Sequence, residues 1–158
     1  MSETRLVTVT ELTVNVDDRG ELYEVLRRDA PEFVEFGQAY IVRSRQPGTV
    51  RAWHRHAVMW DAFCIVAGSA LFQFVDDVPG GPSADGYPAE RGRPYRITAS
   101  DRKPVVLHVP PGVWHGWASL EPNTLLLSIA TQPYNAEEPD EERRAADWFG
   151  ADWQVQAR

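Results

Sequence analysis

Residues 50–61 read VRAWHRHAVMWD and hold two of the chain's four histidines, His54 and His56, with Asp61 five residues beyond the second. In a β-strand, side chains i and i+2 share a face, so His54 and His56 project together and Arg55 projects the other way. Asp61 has the wrong parity to join them on one continuous strand; a turn within AVMW has to bring the chain back beside them. Farther on, VPPGVWHGW (109–117) carries a tight turn at Pro111-Gly112 and presents His115 just beyond it. Neutral imidazoles with one carboxylate suit Fe(II), Ni(II), Mn(II) or Zn(II) and leave coordination positions open for a substrate. The same residue types also serve proton transfer, and a barrel interior holds hydrogen-bonded histidines for packing alone.

The rest of the chain has the texture such a barrel requires. Its 158 residues, 43% of them hydrophobic, suit one domain with a real core, spanning 1–158. A formal charge of −7 and a pI of about 5.1 argue against a nucleic-acid surface, although a local basic pocket still suits a small anion. The lone Cys64, in AFCIVAG, rules out an internal disulfide framework and fits a reducing compartment. No apolar run approaches membrane-spanning length, and MSETRLVTVTEL lacks a signal-peptide plan, so a cytoplasmic location is expected.

Short strand-like runs dominate: LVTVTELTVNV, QAYIVRS, AFCIVAG, ALFQFVDD, PYRITAS, VVLHVPP and TLLLSIATQPY. DVPGGPSADGYPAERGRP, rich in Gly and Pro, reads as a surface loop. GELYEVLRRDAPEF is expected to hold a short helix, because Leu22, Val25 and Leu26 recur at helical spacing and Pro31 stops it. PDEERRAADWF is expected to form a C-terminal helix, with Pro139 and acids first, Arg143 and Arg144 later and Gly150 beyond, its charges only a solvated face. The expected fold is all-β, a jelly roll or double-stranded β-barrel with a short C-terminal helix.

The spacing Gly48, five residues, His54-x-His56, four residues, Asp61, six residues, Gly68 is close to the first cupin motif, and Pro110-x-Gly112-x-x-His115 is close to the second. The chain resembles the cupin superfamily, whose metal-binding members ligate one divalent ion through three histidines and a carboxylate; here those would be His54, His56, His115 and Asp61. A narrower resemblance rests on DDRGELYEVLR, QAYIVRS, VRAWHRH, VPPGVWHGW and QPYN. They follow the order and approximate spacing of the dTDP-4-dehydrorhamnose 3,5-epimerase family over most of residues 16 to 135. That resemblance implies proton abstraction beside the ketone of a nucleotide-linked 4-keto sugar, without a metal or other cofactor. It implies His54 as base, Tyr134 as proton donor on the opposite face, and Arg51 at the diphosphate, where a guanidinium binds phosphate in bidentate fashion. It implies that Arg19, Glu24 and Gln38 hold the nucleotide, some across a homodimer interface, and that His115 is the histidine of the family's second turn. An imidazole with an ordinary pKa of about 6.5 is a competent base near neutrality. The tryptophans around the histidines, Trp53, Trp60, Trp114 and Trp117, suit sugar or base stacking, and equally suit filling the barrel.

Departures from that pattern matter. Asp61 stands where the family carries a lysine, Tyr40 replaces an asparagine, Leu22 a phenylalanine and Ala52 a glycine. The C-terminal stretch lacks the family's recognisable carboxylate for orienting the base, which makes Asp61 the candidate partner of His54. Three functions follow: a keto-sugar epimerase, a metal-dependent cupin oxygenase, lyase or isomerase using His54, His56, Asp61 and His115, and a cupin that only binds a small molecule.

Overall fold

The structure, a computed structural model, describes residues 6–76 and 94–156. Two five-stranded antiparallel sheets face each other, numbered here in chain order. The first runs β1 (Thr8–Glu11), β9 (Val105–Val109), β6 (Asp61–Ala67), β11 (Thr124–Ala130) and β4 (Gln38–Ser44). The second runs β12 (Glu142–Arg143), β5 (Val50–Arg55), β10 (Val113–Ser119), β7 (Ser69–Asp76) and β8 (Tyr95–Ser100). A separate hairpin pairs β2 (Asn15–Asp17) with β3 (Gly20–Leu22). The expected all-β cupin architecture is therefore what the chain adopts; the long Gly/Pro loop expected between β7 and β8 lies outside the described residues.

Alternation along each strand builds the core. On β6, Phe63 and Ile65 point between the sheets with Phe72, Phe74, Leu107, Val109, Trp117 and Leu126, while Ala62 and Cys64 point outward. Burial on both faces explains why AFCIVAG reads as a continuous apolar run. Cys64 is 1% exposed, and burial pushes its thiol up to about 11, which makes it an inert packing residue.

The seam that carries the histidines depends on Gly116. A Cβ there would lie 2.3 Å from the Ala52 Cβ, so β10 approaches β5 only as closely as glycine permits. The pairing shifts register between His115 and Trp117 and sets His115 directly across from His54. Gly112, at φ 86, takes the left-handed turn position before β10.

Two helix expectations fail. Gly20–Leu22 is the second strand of the hairpin, and Tyr23 and Val25 then lie against the outward face of β6 and β9, over Ala62, Cys64 and Val106. That apolar face needs cover, and an extended segment with alternating contacts supplies it better than one helical stripe. The C-terminal expectation fails for a related reason. Glu142–Arg143 adds to the edge of β5 as β12, and Trp53 and Arg144 exchange both backbone hydrogen bonds, at 3.0 and 3.1 Å. A single 3₁₀ turn, Trp148–Gly150, then brings Phe149 and Trp153 onto Trp53. An open strand edge and a buried tryptophan together outweigh local helix propensity. LVTVTELTVNV likewise divides into β1 and β2, because Leu12 turns aside to join the outer cluster.

Candidate active site

A cavity of about 660 Å³ opens between the sheets. One wall, from β5 and β10, carries Arg51, His54, His115 and Trp117, with His56 at the end of β5. The other, from β4, β6 and β11, carries Gln38, Tyr40, Val42, Asp61, Phe63 and Leu126. Tyr134 and Arg143 also line it. Of the residues singled out in the sequence, His54, His56, Asp61, His115, Arg51, Gln38 and Tyr134 thus converge on one space. Arg19 and Glu24 do not: Arg19 is bound to Asp17 at the hairpin tip, Glu24 pairs with Arg27, and neither lines the cavity. Trp53 and Trp114 pack behind the histidine wall, with the guanidinium carbons of Arg55 and Arg144 4.7 and 5.1 Å from the Trp114 ring centroid. Both tryptophans cover the outer face of that sheet beneath the C-terminal segment and neither line the cavity nor fill the barrel, whereas Trp117 does line the cavity.

The expected turn within AVMW is present, and it is built by a residue the sequence did not advertise. The Asp140 carboxylate accepts the backbone N–H groups of Ala57, Val58 and Met59 at 2.8, 3.0 and 2.8 Å. Burial works against that charge, but the three donors outweigh it and hold the carboxyl below its ordinary range. The Asp140 carbonyl meanwhile accepts from His56 Nδ1. The adjacent Glu141 contacts His54 Nδ1 through Oε1 while its Oε2 accepts from Arg143 at 2.9 Å. Glu141 is depressed despite its burial, because Arg143 and His54 both favour the anion. The expectation that Asp61 orients His54 is therefore corrected: the orienting carboxylate is Glu141, delivered by the segment expected to be a helix without functional role.

Asp61 has another place. Its Oδ2 lies 3.3 Å from His56 Nε2 and 3.7 Å from His115 Nε2, and its Oδ1 is buried without a hydrogen-bond partner among the described residues. His115 Nδ1 is tied to the Val113 carbonyl at 3.1 Å. Both rings thus give Nδ1 to backbone carbonyls and turn Nε2 to the carboxylate. That is how outer hydrogen bonds orient metal-ligating histidines. His56, Asp61 and His115 bring ligand atoms within 4.8 Å of one another and fit a divalent ion; His54 stands outside that set. The four-ligand expectation reduces to three. Burial pushes the His115 imidazole down to about 4, against the pull of Asp61. At His56, burial opposes the charged form, but Asp61 and Asp140 together raise its proton affinity.

The fold and this paired-histidine cavity define a cupin-type β-barrel with a polar site between its sheets, and comparison with known proteins supplies its class. The chain is 34% identical over 155 residues to the probable low-salt glycan biosynthesis epimerase Agl13 of Haloferax volcanii, covering 95% of this chain and 94% of that one. It is 30% identical over 158 residues to the spore coat polysaccharide biosynthesis protein SpsL of Bacillus subtilis, covering 96% and 97%. A dTDP sugar isomerase from Desulfovibrio desulfuricans superposes with a TM-score of 0.75 at 26% identity over 94% of each chain. No family model matches. The chain belongs to a family of cupin-fold glycan-biosynthesis epimerases and isomerases. It is an epimerase-class enzyme of sugar biosynthesis. Among the described residues no helix is long and apolar enough to cross a membrane.

Proposed function

We propose that the protein inverts a carbon beside the ketone of a dTDP-linked 4-keto-6-deoxy sugar. The observation that carries this reading is the His54–Glu141 pair on the cavity wall. With Nδ1 engaged by the carboxylate, His54 offers Nε2 to the cavity as the base, and Glu141 stabilises the imidazolium formed when it takes the proton. Tyr134, on the segment after β11, returns a proton to the opposite face of the planar intermediate and so inverts the centre. Arg51 on β5 supplies a guanidinium for the diphosphate. Incubation with a dTDP-linked 4-keto-6-deoxyhexose in D₂O is expected to place deuterium at the carbon beside the ketone. No incorporation with any such sugar would sink the reading. His54→Asn is expected to abolish incorporation while dTDP still binds.

A second reading rests on the buried Asp61 Oδ1, which has no hydrogen-bond partner among the described residues, and on the two Nε2 atoms aimed at the same carboxylate. A divalent ion held by His56, Asp61 and His115 would supply Lewis-acid polarisation of an oxygen in the cavity. Calorimetric titration with Mn(II), Ni(II) or Zn(II) tests it directly. One equivalent bound by the wild type and none by Asp61→Asn supports it, and no binding by the wild type removes it.

The positions of Arg19 and Glu24 outside the cavity favour a homodimer in which the partner brings them to the nucleotide. Sedimentation of a monomer at enzymatic concentrations would contradict that arrangement.

A further inference from the structure

Removing a proton beside a ketone leaves negative charge on the keto oxygen, and a dry site has to meet that charge with a donor. The carboxylate of Asp61 cannot serve, being itself an acceptor when ionised and 3% exposed on one wall. Arg143 is committed to Glu141, and the Gln38 side-chain amide is anchored at the cavity rim, its Oε1 accepting the Tyr134 backbone N–H at 3.1 Å. Tyr40 remains. On β4 it shares parity with Gln38 and Val42, which line the same cavity, and its cross-strand partner is the buried Ser128. It faces the histidine wall from the opposite sheet, and 43% of its surface is open against 62% for Tyr134.

We propose that Tyr40 is a catalytic residue whose phenol donates a hydrogen bond to the keto oxygen as it becomes an enolate. The inference rests on the epimerase reading above. In the step, the C–H bond beside the ketone breaks and its proton passes to His54 Nε2. The electron pair forms the carbon–carbon double bond, and the carbonyl π pair moves to the oxygen that Tyr40 holds. Reprotonation reverses each movement and leaves Tyr40 unchanged. Burial raises the proton affinity of the phenol; Ser128 opposes the shift, and the carboxylates of Asp61 and Glu141 add to it. The group therefore stays a neutral donor across the working range.

The test compares solvent-deuterium exchange into a dTDP-linked 4-keto-6-deoxyhexose by wild type, Tyr40→Phe and Tyr134→Phe, with calorimetric binding of dTDP alongside. Tyr40→Phe is expected to slow exchange by about 10²–10³-fold, the usual loss for one oxyanion donor, with dTDP affinity within about threefold, well under the tenfold that marks 1.4 kcal/mol. Tyr134→Phe is expected to keep exchange and lose inversion. Exchange by Tyr40→Phe within about threefold of wild type, a barrier change under 1 kcal/mol, overturns the inference and leaves the epimerase reading standing. No exchange by wild type overturns both. Should Tyr40→Phe fold poorly, 3,5-difluorotyrosine placed at position 40 preserves the shape. An alkaline limb of exchange moved to lower pH then supports the role, and an unmoved limb refutes it.

Discussion

The two histidines of one strand end live in different surroundings. His54, its side chain 28% exposed, has a carboxylate on Nδ1 and the cavity before Nε2. His56, its side chain 11% exposed, has a backbone carbonyl on Nδ1 and faces the buried Asp61 through Nε2. Two residues apart and on one face, they are identical in the sequence pattern. What separates them is the partner each receives from elsewhere in the chain: a carboxylate for His54, the ring proposed as base, and a backbone carbonyl for His56.

The comparison is broken most directly by replacing each ring. His54→Asn is expected to lower turnover by about 10⁴-fold, the upper range for a positioned general base, and His56→Asn by at least tenfold less. Equal losses in a steady-state assay would show that the two are not distinct. Glu141→Gln sharpens the same contrast: the amide no longer stabilises the imidazolium, so kcat is expected to fall about 10²–10³-fold with KM nearly constant. An unchanged kcat would return the orienting role to Asp61.

Smaller effects test the seam and the turn. Gly116→Ala forces a methyl against the Ala52 Cβ and is expected to cost about 2–3 kcal/mol by denaturant unfolding, in the range of overpacked cores. Asp140→Ala removes the acceptor for three partly exposed N–H groups and is expected to cost about 1 kcal/mol. The sign with pH follows from the Asp140 carboxyl being lowered in the folded state. Its contribution is complete above the ordinary aspartate value of about 3.9 and is lost as pH falls through the lower folded value. The stability difference between wild type and Asp140→Ala should therefore be constant near neutrality and shrink in that acid window. A difference that grew on acidification would contradict the assignment.

The histidine wall was legible because two short motifs at fixed spacing name its residues. His54, His56 and His115 stand where strand parity and the Gly112 turn place them. Asp140 and Glu141 were not legible. They sit in PDEERRAADWF, whose local chemistry is that of a helix terminus, and nothing within it reveals that the edge of β5 lies open beside it. Tyr40 was visible as a departure from the family pattern without a role, because its role depends on which wall faces the histidines. The Leu22–Leu26 spacing misled for the same reason: helical periodicity and an extended cover for an outer sheet face differ in what they pack against.

By itself the sequence determined the all-β class, the positions of many of the strands, the shared face of the two histidines and the family resemblance. Those properties are written in alternation, turn chemistry and spacing, which are local. The tertiary structure decided that Glu141 belongs to His54, that Asp61 belongs to His56 and His115, and that the last segment is a strand and a strap. Each of these joins positions far apart in the chain, where a strand edge or a buried charge accepts the partner that satisfies it at least cost.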